Sequence, residues 1–180
     1  MILVVAATPP ELRWADDGAA VGVGPVEAAI ATARVLAERS PSSVVHVGLA
    51  GARRASGIAI GTAVLGTSAV YCDLAAAFPG LVRELAPDAG LLARARAALP
   101  EARALPIGTS AAVGGTSGTD VEAMEGFAVL RACALAGVPA VELRVVANEI
   151  EEEDRARWDF RGALDGLESA GRRLVSALEG

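Results

Sequence analysis

Aromatic side chains are scarce in this chain. Phe, Trp and Tyr make up 3% of its 180 residues, although 53% are hydrophobic. Its core must therefore be built from Ala, Val and Leu, which suits helices packed on a buried sheet. Cysteine is nearly absent as well. Cys72 and Cys133 stand far apart with no CxxC spacing, and His46 is the single histidine. No standard zinc set can be assembled from these residues, so no metal is expected, and the thiols read as reduced and cytoplasmic. Basic clusters and stripes are missing, and the net charge is -6. Without clustered Arg or Lys to neutralise phosphates, a nucleic-acid-binding face is excluded and a small-molecule ligand is expected. No apolar run is long enough and free enough of breakers to cross a bilayer. The opening Met1-Ile2-Leu3-Val4-Val5-Ala6-Ala7 lacks a basic leader and soon meets Pro9 and Pro10, which argues against a signal peptide and membrane attachment. The Gly22-x-Gly24 pair lacks the third glycine and later acid of a dinucleotide fingerprint. No nucleophile–His–acid set is recognisable, and no organic cofactor is implied.

What the chain does have is a regular alternation of strand-like and helical segments. Ile2 to Ala7 is a continuous apolar run, read as a strand buried on both faces. Ala20 to Val23 reads as a second short strand. Gly24-Pro25 then opens a helix, with proline in the first turn, where its missing N–H costs nothing. Val26, Ile30, Ala33 and Ala37 form the apolar face of that helix, which Ser40-Pro41-Ser42 ends. Val44 to Val47 is a strand followed directly by a Gly48-Leu49-Ala50-Gly51 turn, and Ala63 to Tyr71 is the next strand. Gly90 to Leu99 is helical, Leu105 to Val113 strand-like, and Gly114 to Gly118 a loop. Val121 to Ala136 reads as a helix closed by Gly137, and Val141 to Val146 as a strand. Phe160, Leu164, Leu167, Leu174 and Leu178 mark a closing amphipathic helix. The expected fold is α/β: one domain over residues 1–180, three layers α/β/α, with a mixed twisted sheet flanked by helices.

Several blocks, taken in order, resemble the nucleoside phosphorylase superfamily. They are Thr8-Pro9-Pro10-Glu11 after the first strand, Gly22-Val23-Gly24-Pro25-Val26-Glu27-Ala28-Ala29, and Gly48-Leu49-Ala50-Gly51. Gly61-Thr62-Ala63-Val64 leading to Tyr71 and Asp73 follows, then Met124-Glu125-Gly126 with Arg144 and Asn148. The nearest branch holds the nucleosidases that act on methylthioadenosine and S-adenosylhomocysteine. Within it, the Glu-Ala-Met-Glu-Gly-Phe wording, Asn148 where adenine-specific members carry Asp, and Arg155 with Trp158 are similar to the futalosine hydrolases of menaquinone biosynthesis. The resemblance implies a nucleoside phosphorylase-like fold, cleavage of a purine N-glycosidic bond, and assembly into at least a dimer.

The resemblance implies roles for particular residues. Glu125 would hold the ribose hydroxyls, since a carboxylate accepts two hydrogen bonds and becomes more favourable as positive charge grows on the sugar. Met124 would lie on the sugar face. Glu11 would orient or deprotonate the attacking water. Asn148 offers an NH2 to a 6-oxo group and a C=O to N7–H, which points to hypoxanthine as the leaving base. Ala50 and Gly51 would let backbone approach the ligand. Arg155 would meet a substrate carboxylate, and Trp158 would pack on its ring. Residues alone leave blander readings open: Glu125 capping its own helix, Glu11 solvated in a Pro-rich turn, Trp158 anchoring the last helix, His46 a satisfied core residue, and Arg144 an ion-pair partner for Glu142 or Glu122. Leu49 stands where phosphorylases use a hydroxyl, and the Ala7-Thr8-Pro9-Pro10 turn has no Arg, which favours water over phosphate as nucleophile. A phosphorylase, an adenine-specific nucleosidase and a non-catalytic nucleoside-binding protein are the alternatives.

Overall fold

The computed structural model describes residues 1–76, 78–114 and 118–180. Strand β1 (Ile2–Ala6) sends Leu3 and Val5 to one face and Val4 and Ala6 to the other, and all four are buried. Its neighbours are β2 (Ala19–Ala20) and β3 (Ser43–Ala52), both parallel to it. Helix α1 (Pro25–Arg39) connects β2 to β3. Then come β4 (Ala63–Tyr71), β5 (Glu84–Leu85), α2 (Ala89–Ala98), β6 (Arg103–Thr109), β7 (Val121–Ala123), α3 (Gly126–Ala136), β8 (Ala140–Glu149) and α4 (Phe160–Glu179).

Among the described residues, eight strands form one mixed sheet in the order β2-β1-β3-β7-β6-β4-β5, and β8 pairs with both β3 and β4. The pairings β3–β8, β8–β4, β4–β6, β6–β7 and β7–β3 therefore return to their start. These five strands close on one another as a small ring, with β1 and β2 extending from one side. On one face of the sheet, Val45, Val47, Leu143 and Val145 pack against Leu167, Leu174 and Leu178 of α4 and Ala95 of α2. On the other, Leu3, Val5 and Val44 meet Leu36 of α1 and Phe127 and Leu130 of α3. A third cluster gathers Ala50, Val64, Ile107, Val121 and Val146 from the ring strands. This is the expected three-layer arrangement. Burying a Leu such as Leu167 or Leu174 completely stabilises it by about 1.5–3 kcal/mol.

Five local expectations are corrected. Gly48-Leu49-Ala50-Gly51 is not a turn: β3 runs through it, because β8 continues beside it as far as Glu149 and β7 pairs with its last two residues. Residues 121–123 form β7 rather than the first turn of a helix, and α3 starts only at Gly126. The short second strand is Ala19–Ala20, and β6 stops at Thr109 instead of continuing to Val113. The apolar stripe of α1 faces outward. Val26 and Ile30 are 67% and 66% exposed, while the small Ala28 and Thr32 and the larger Leu36 face the protein. Of the loop expected at 114–118, residues 115–117 lie outside the described residues.

Helix α4 approaches the indole of Trp14 through Gly171, where an added Cβ would run into the ring carbons. Gly171→Ala is expected to lower unfolding free energy by about 1–3 kcal/mol, read as a shifted urea midpoint, because a packed interior answers overfilling with displaced side chains.

Candidate active site

The C-terminal ends of β1, β3 and β8, β7 with the start of α3, and the start of α4 surround a cavity of about 470 Å³. Glu11 enters it from the 3-10 turn Pro9–Leu12 after β1. It is 8% exposed. Its Oε2 accepts hydrogen bonds from the N–H (2.8 Å) and hydroxyl (2.7 Å) of Thr8, and its Oε1 accepts from Leu49 N–H at 3.1 Å. It is therefore a held carboxylate and not a solvated one.

Glu125 occupies the N-cap of α3 but makes no side-chain cap to its own helix. It reaches across the cavity instead: Oε1 accepts from Gly24 N–H at 3.1 Å, and Oε2 lies 3.4 Å from Arg144 Nη1. Gly24 has φ 88°, a left-handed value that glycine adopts at little cost, and this turns its N–H toward the carboxylate.

Behind these two acids lies a buried ionic cluster centred on Arg144, which is 1% exposed. Its Nε donates to Glu142 Oε1 at 2.8 Å, Nη1 donates to Glu125 and to Leu49 O at 3.4 Å, and Nη2 is 2.5 Å from His46 Nε2. His46 Nδ1 lies 3.2 Å from Val5 O, so Nδ1 carries the hydrogen and Nε2 accepts from the guanidinium. Burial, reinforced by Arg144, holds the His46 pKa well below its ordinary value, which keeps the ring neutral. Burial works against the Arg144 charge too, but Glu142 and Glu125 outweigh it and raise its pKa. Glu142 is raised by burial, against the opposing pull of Arg144. Space for the cluster comes from two glycines. A Cβ on Gly48 would strike Arg144 Nη1, and one on Gly126 would strike both oxygens of Glu142.

Asn148 stands near the end of β8. A register shift after Ala50 sets it opposite Gly51. Its Nδ2 donates to Glu149 O at 2.9 Å, which fixes the amide. The second amide hydrogen and Oδ1 make no hydrogen bond to the described residues. Gly51 lets side chains of β8 and the segment after it lie close against β3, since a Cβ there would sit 3.1 Å from both Asn148 Nδ2 and Ile150 Cγ1.

Glu11, Gly51, Met124, Glu125, Asn148 and Trp158 thus line one cavity. Two expected contacts lie elsewhere. Ala50 turns its side chain into the ring-strand core and offers only backbone. Arg155 lines a second cavity of about 540 Å³, which adjoins the first across Val113 and Trp158. Its guanidinium carbon is 5.5 Å from the centre of the Trp158 ring. The indole N–H of Trp158 donates to Glu152 O at 3.0 Å. Glu122, Phe160 and Leu164 also line the first cavity, although sequence reasoning assigned them no place in the site. For Phe160 and Leu164 the helical spacing was visible, but it reads equally as core packing.

The sequence profile of the phosphorylase superfamily matches residues 18–179. Futalosine hydrolase of Streptomyces coelicolor is 34% identical over 190 aligned positions, covering 91% of this chain and 80% of the relative. The chain belongs to the phosphorylase superfamily, in its futalosine hydrolase branch. Futalosine hydrolase of Thermus thermophilus is also 34% identical, over 86% of this chain and 79% of its own length. Among solved structures, futalosine hydrolase of Helicobacter pylori superposes with a TM-score of 0.86 over 97% of both chains, at 15% identity. The 5'-methylthioadenosine/S-adenosylhomocysteine nucleosidase of Neisseria meningitidis, solved with methylthio-immucillin-A, gives 0.84 over 97% of both chains, at 20% identity. At such identities the two structures establish the phosphorylase-superfamily fold.

In this superfamily member, the raised pKa of Glu142 has a measurable consequence. A group whose pKa is higher folded than unfolded binds protons on folding, so its contribution is full below the unfolded value and is lost as pH rises through the folded one. The stability difference, wild type minus Glu142→Gln, is therefore expected to fall from pH 4 toward pH 7. Urea unfolding of both proteins across that range gives the difference directly; a flat or rising curve would contradict it.

Proposed function

We propose that this protein hydrolyses the N-glycosidic bond of futalosine, releasing hypoxanthine and dehypoxanthinylfutalosine, as an N-glycosidase of menaquinone biosynthesis. The identity to two futalosine hydrolases over most of the chain supports the substrate. The observation that carries the chemistry is the convergence of Glu11, Glu125 and Asn148 on one cavity.

In this reading the base leaves toward Asn148, whose C=O accepts from N7–H while its free amide hydrogen meets O6. Glu125 holds the ribose hydroxyls. As the C–N bond stretches and the sugar becomes cationic, the attraction between sugar and carboxylate grows, so the interaction favours the transition state over the ground state. Met124 lies against the sugar. Glu11 aims a water at the opposite face, held in place by Thr8 and the Leu49 amide. Trp158 closes the cavity at the side where Arg155 begins the second one, and the pair receives the carboxyphenyl end of the substrate. Ala50 contributes backbone alone.

Charge supports water, rather than phosphate, as the nucleophile. Glu11, Glu122 and Glu125 line the cavity, and among the described lining residues the one guanidinium, Arg144, is already shared between Glu125, Glu142 and His46. A phosphate dianion would meet three carboxylates with no cation free to receive it.

A dimer is part of the proposal. Val26 and Ile30 of α1 and Leu135 of α3, which is 72% exposed, border an open apolar groove of about 620 Å³ whose floor includes Tyr71 and Phe127. An exposed apolar patch of this kind is what a second copy would cover. Cys72 and Cys133 form no disulfide among the described residues, which suits a reducing cytoplasm. Among the described residues, no helix is long and apolar enough to cross a membrane.

Chromatography of the base released from futalosine, inosine and methylthioadenosine, with and without phosphate, tests the reading. Free hypoxanthine from futalosine, at a rate indifferent to phosphate, is the expected result; ribose 1-phosphate-type products would replace it with the phosphorylase alternative. Glu125→Gln is expected to lower turnover on the order of 10²-fold or more, with the fold retained by circular dichroism. Asn148→Asp is expected to weaken 6-oxopurine use relative to adenine nucleosides; an unchanged preference would remove Asn148 from base recognition.

A further inference from the structure

Of the two carboxylates paired with Arg144, the nearer one never reaches the cavity. Glu142 is fully buried and does not line it, whereas Arg144, Glu125 and Glu11 do. Its Oε1 accepts from Arg144 Nε at 2.8 Å, while Glu125 Oε2 stands 3.4 Å from Nη1. The placement follows from β8: residues 142 and 144 project to one face, opposite His46 and Gly48 of β3. Gly66 of β4 and Gly126 of α3 make room for the Glu142 carboxyl. The charged groups that bear on it are Arg144 and Glu125, and His46 beside it stays neutral. Its Oε2 is buried and accepts no hydrogen bond among the described residues. An unpaired buried carboxylate oxygen costs stability, and apolar packing would avoid that cost, so stability alone does not account for an acid here.

We propose that Glu142 is a positioning residue that neutralises Arg144, so that the full negative charge of Glu125 faces the sugar as the glycosidic bond breaks. The inference rests on the hydrolase reading and explains how its ribose-binding carboxylate keeps its charge. A guanidinium at the cavity wall works against this chemistry in two ways. It draws Glu125 into an ion pair, and it repels the cation that grows on the sugar. Glu142 cancels both effects from outside the cavity. With Arg144 matched from behind, Glu11 and Glu125 keep the wall around the sugar negative. His46 cannot take this role: its ring is neutral, and it holds Nη2 without offsetting the charge. Burial pushes the Glu142 carboxyl up, and Arg144 pulls it back down. Each partner thus favours the charged form of the other, and the pair acts as a unit.

Two uncleavable ligands separate charge from shape. One is 9-deazainosine, whose base is joined to the ribose through carbon; the other is the same molecule with a protonated amine in place of the ring oxygen. Calorimetry gives the affinity of each. The preference for the cationic ligand over the neutral one is expected to fall about 10- to 100-fold in Glu142→Gln, the effect of one charge at this range in a partly screened interior. Turnover of futalosine is expected to drop by a similar factor, with KM changed less than about threefold, because the interaction lost belongs to the transition state. If Glu142 only braces the cluster, both ligands weaken by the same factor and the preference stays put, which overturns the inference. Glu142→Asp serves if the Gln variant does not fold. Its carboxylate is drawn back from Nε by one methylene, so the preference is expected to fall about two- to fivefold, and an unchanged preference overturns the inference. A wild-type protein that releases no base from any nucleoside would instead remove the hydrolase reading itself, and this inference with it.

Discussion

One guanidinium organises the site. Arg144 is buried between Glu142, Glu125 and His46, and taking such a charge out of water is costly unless every side of it is satisfied. The fold satisfies it with two carboxylates, a neutral imidazole and the Leu49 carbonyl, and it keeps side chains away at Gly48 and Gly126. Removing one partner would leave the others as uncompensated buried charge. The cluster therefore fixes the register of β3 against β8 and the entry of α3 together. Glu125 is held by the same cluster, so the proposed ribose contact is placed by the core rather than by a loop.

Much of this was legible in the sequence. An unbroken apolar run marked β1, because a strand covered on both faces needs no polar alternation, and Val-rich stretches marked β4 and β8. Gly24-Pro25 and Gly137 bracketed α1 and α3 correctly at those ends. The family's ordered blocks brought Glu11, Glu125 and Asn148 to notice, and the structure gathers them in one cavity. Other features were hidden for physical reasons. β7 is three residues long, too short to show a period, and it runs into α3 without a breaker. Read as helix, Glu122 and Glu125 share a face at i, i+3; read as strand and cap, they belong to different parts of the cavity wall. The glycines of Gly48-Leu49-Ala50-Gly51 suggested a turn, yet they mark close approach of side chains from β8 to a strand that goes straight on.

The outward stripe of α1 shows a different limit. Periodicity identifies an apolar face but not what covers it. Here the inward face takes Ala28 and Thr32, small residues that allow close packing, and leaves Val26 and Ile30 exposed. A helix read in isolation would be assigned the opposite orientation.

The closed circuit of five strands bears on how substrate choice can change. Each of β3, β7 and β8 is hydrogen-bonded to partners on both sides, so their residues cannot spread apart or slide without rupturing ladders elsewhere. Whatever the cavity floor built on these strands recognises, it meets as a pre-cut template. The far end of a substrate, beyond Trp158, faces short connecting segments outside the circuit, where substitutions are cheaper. A lineage built on this scaffold could acquire new tails readily and new bases only by exchanging side chains within the strands themselves.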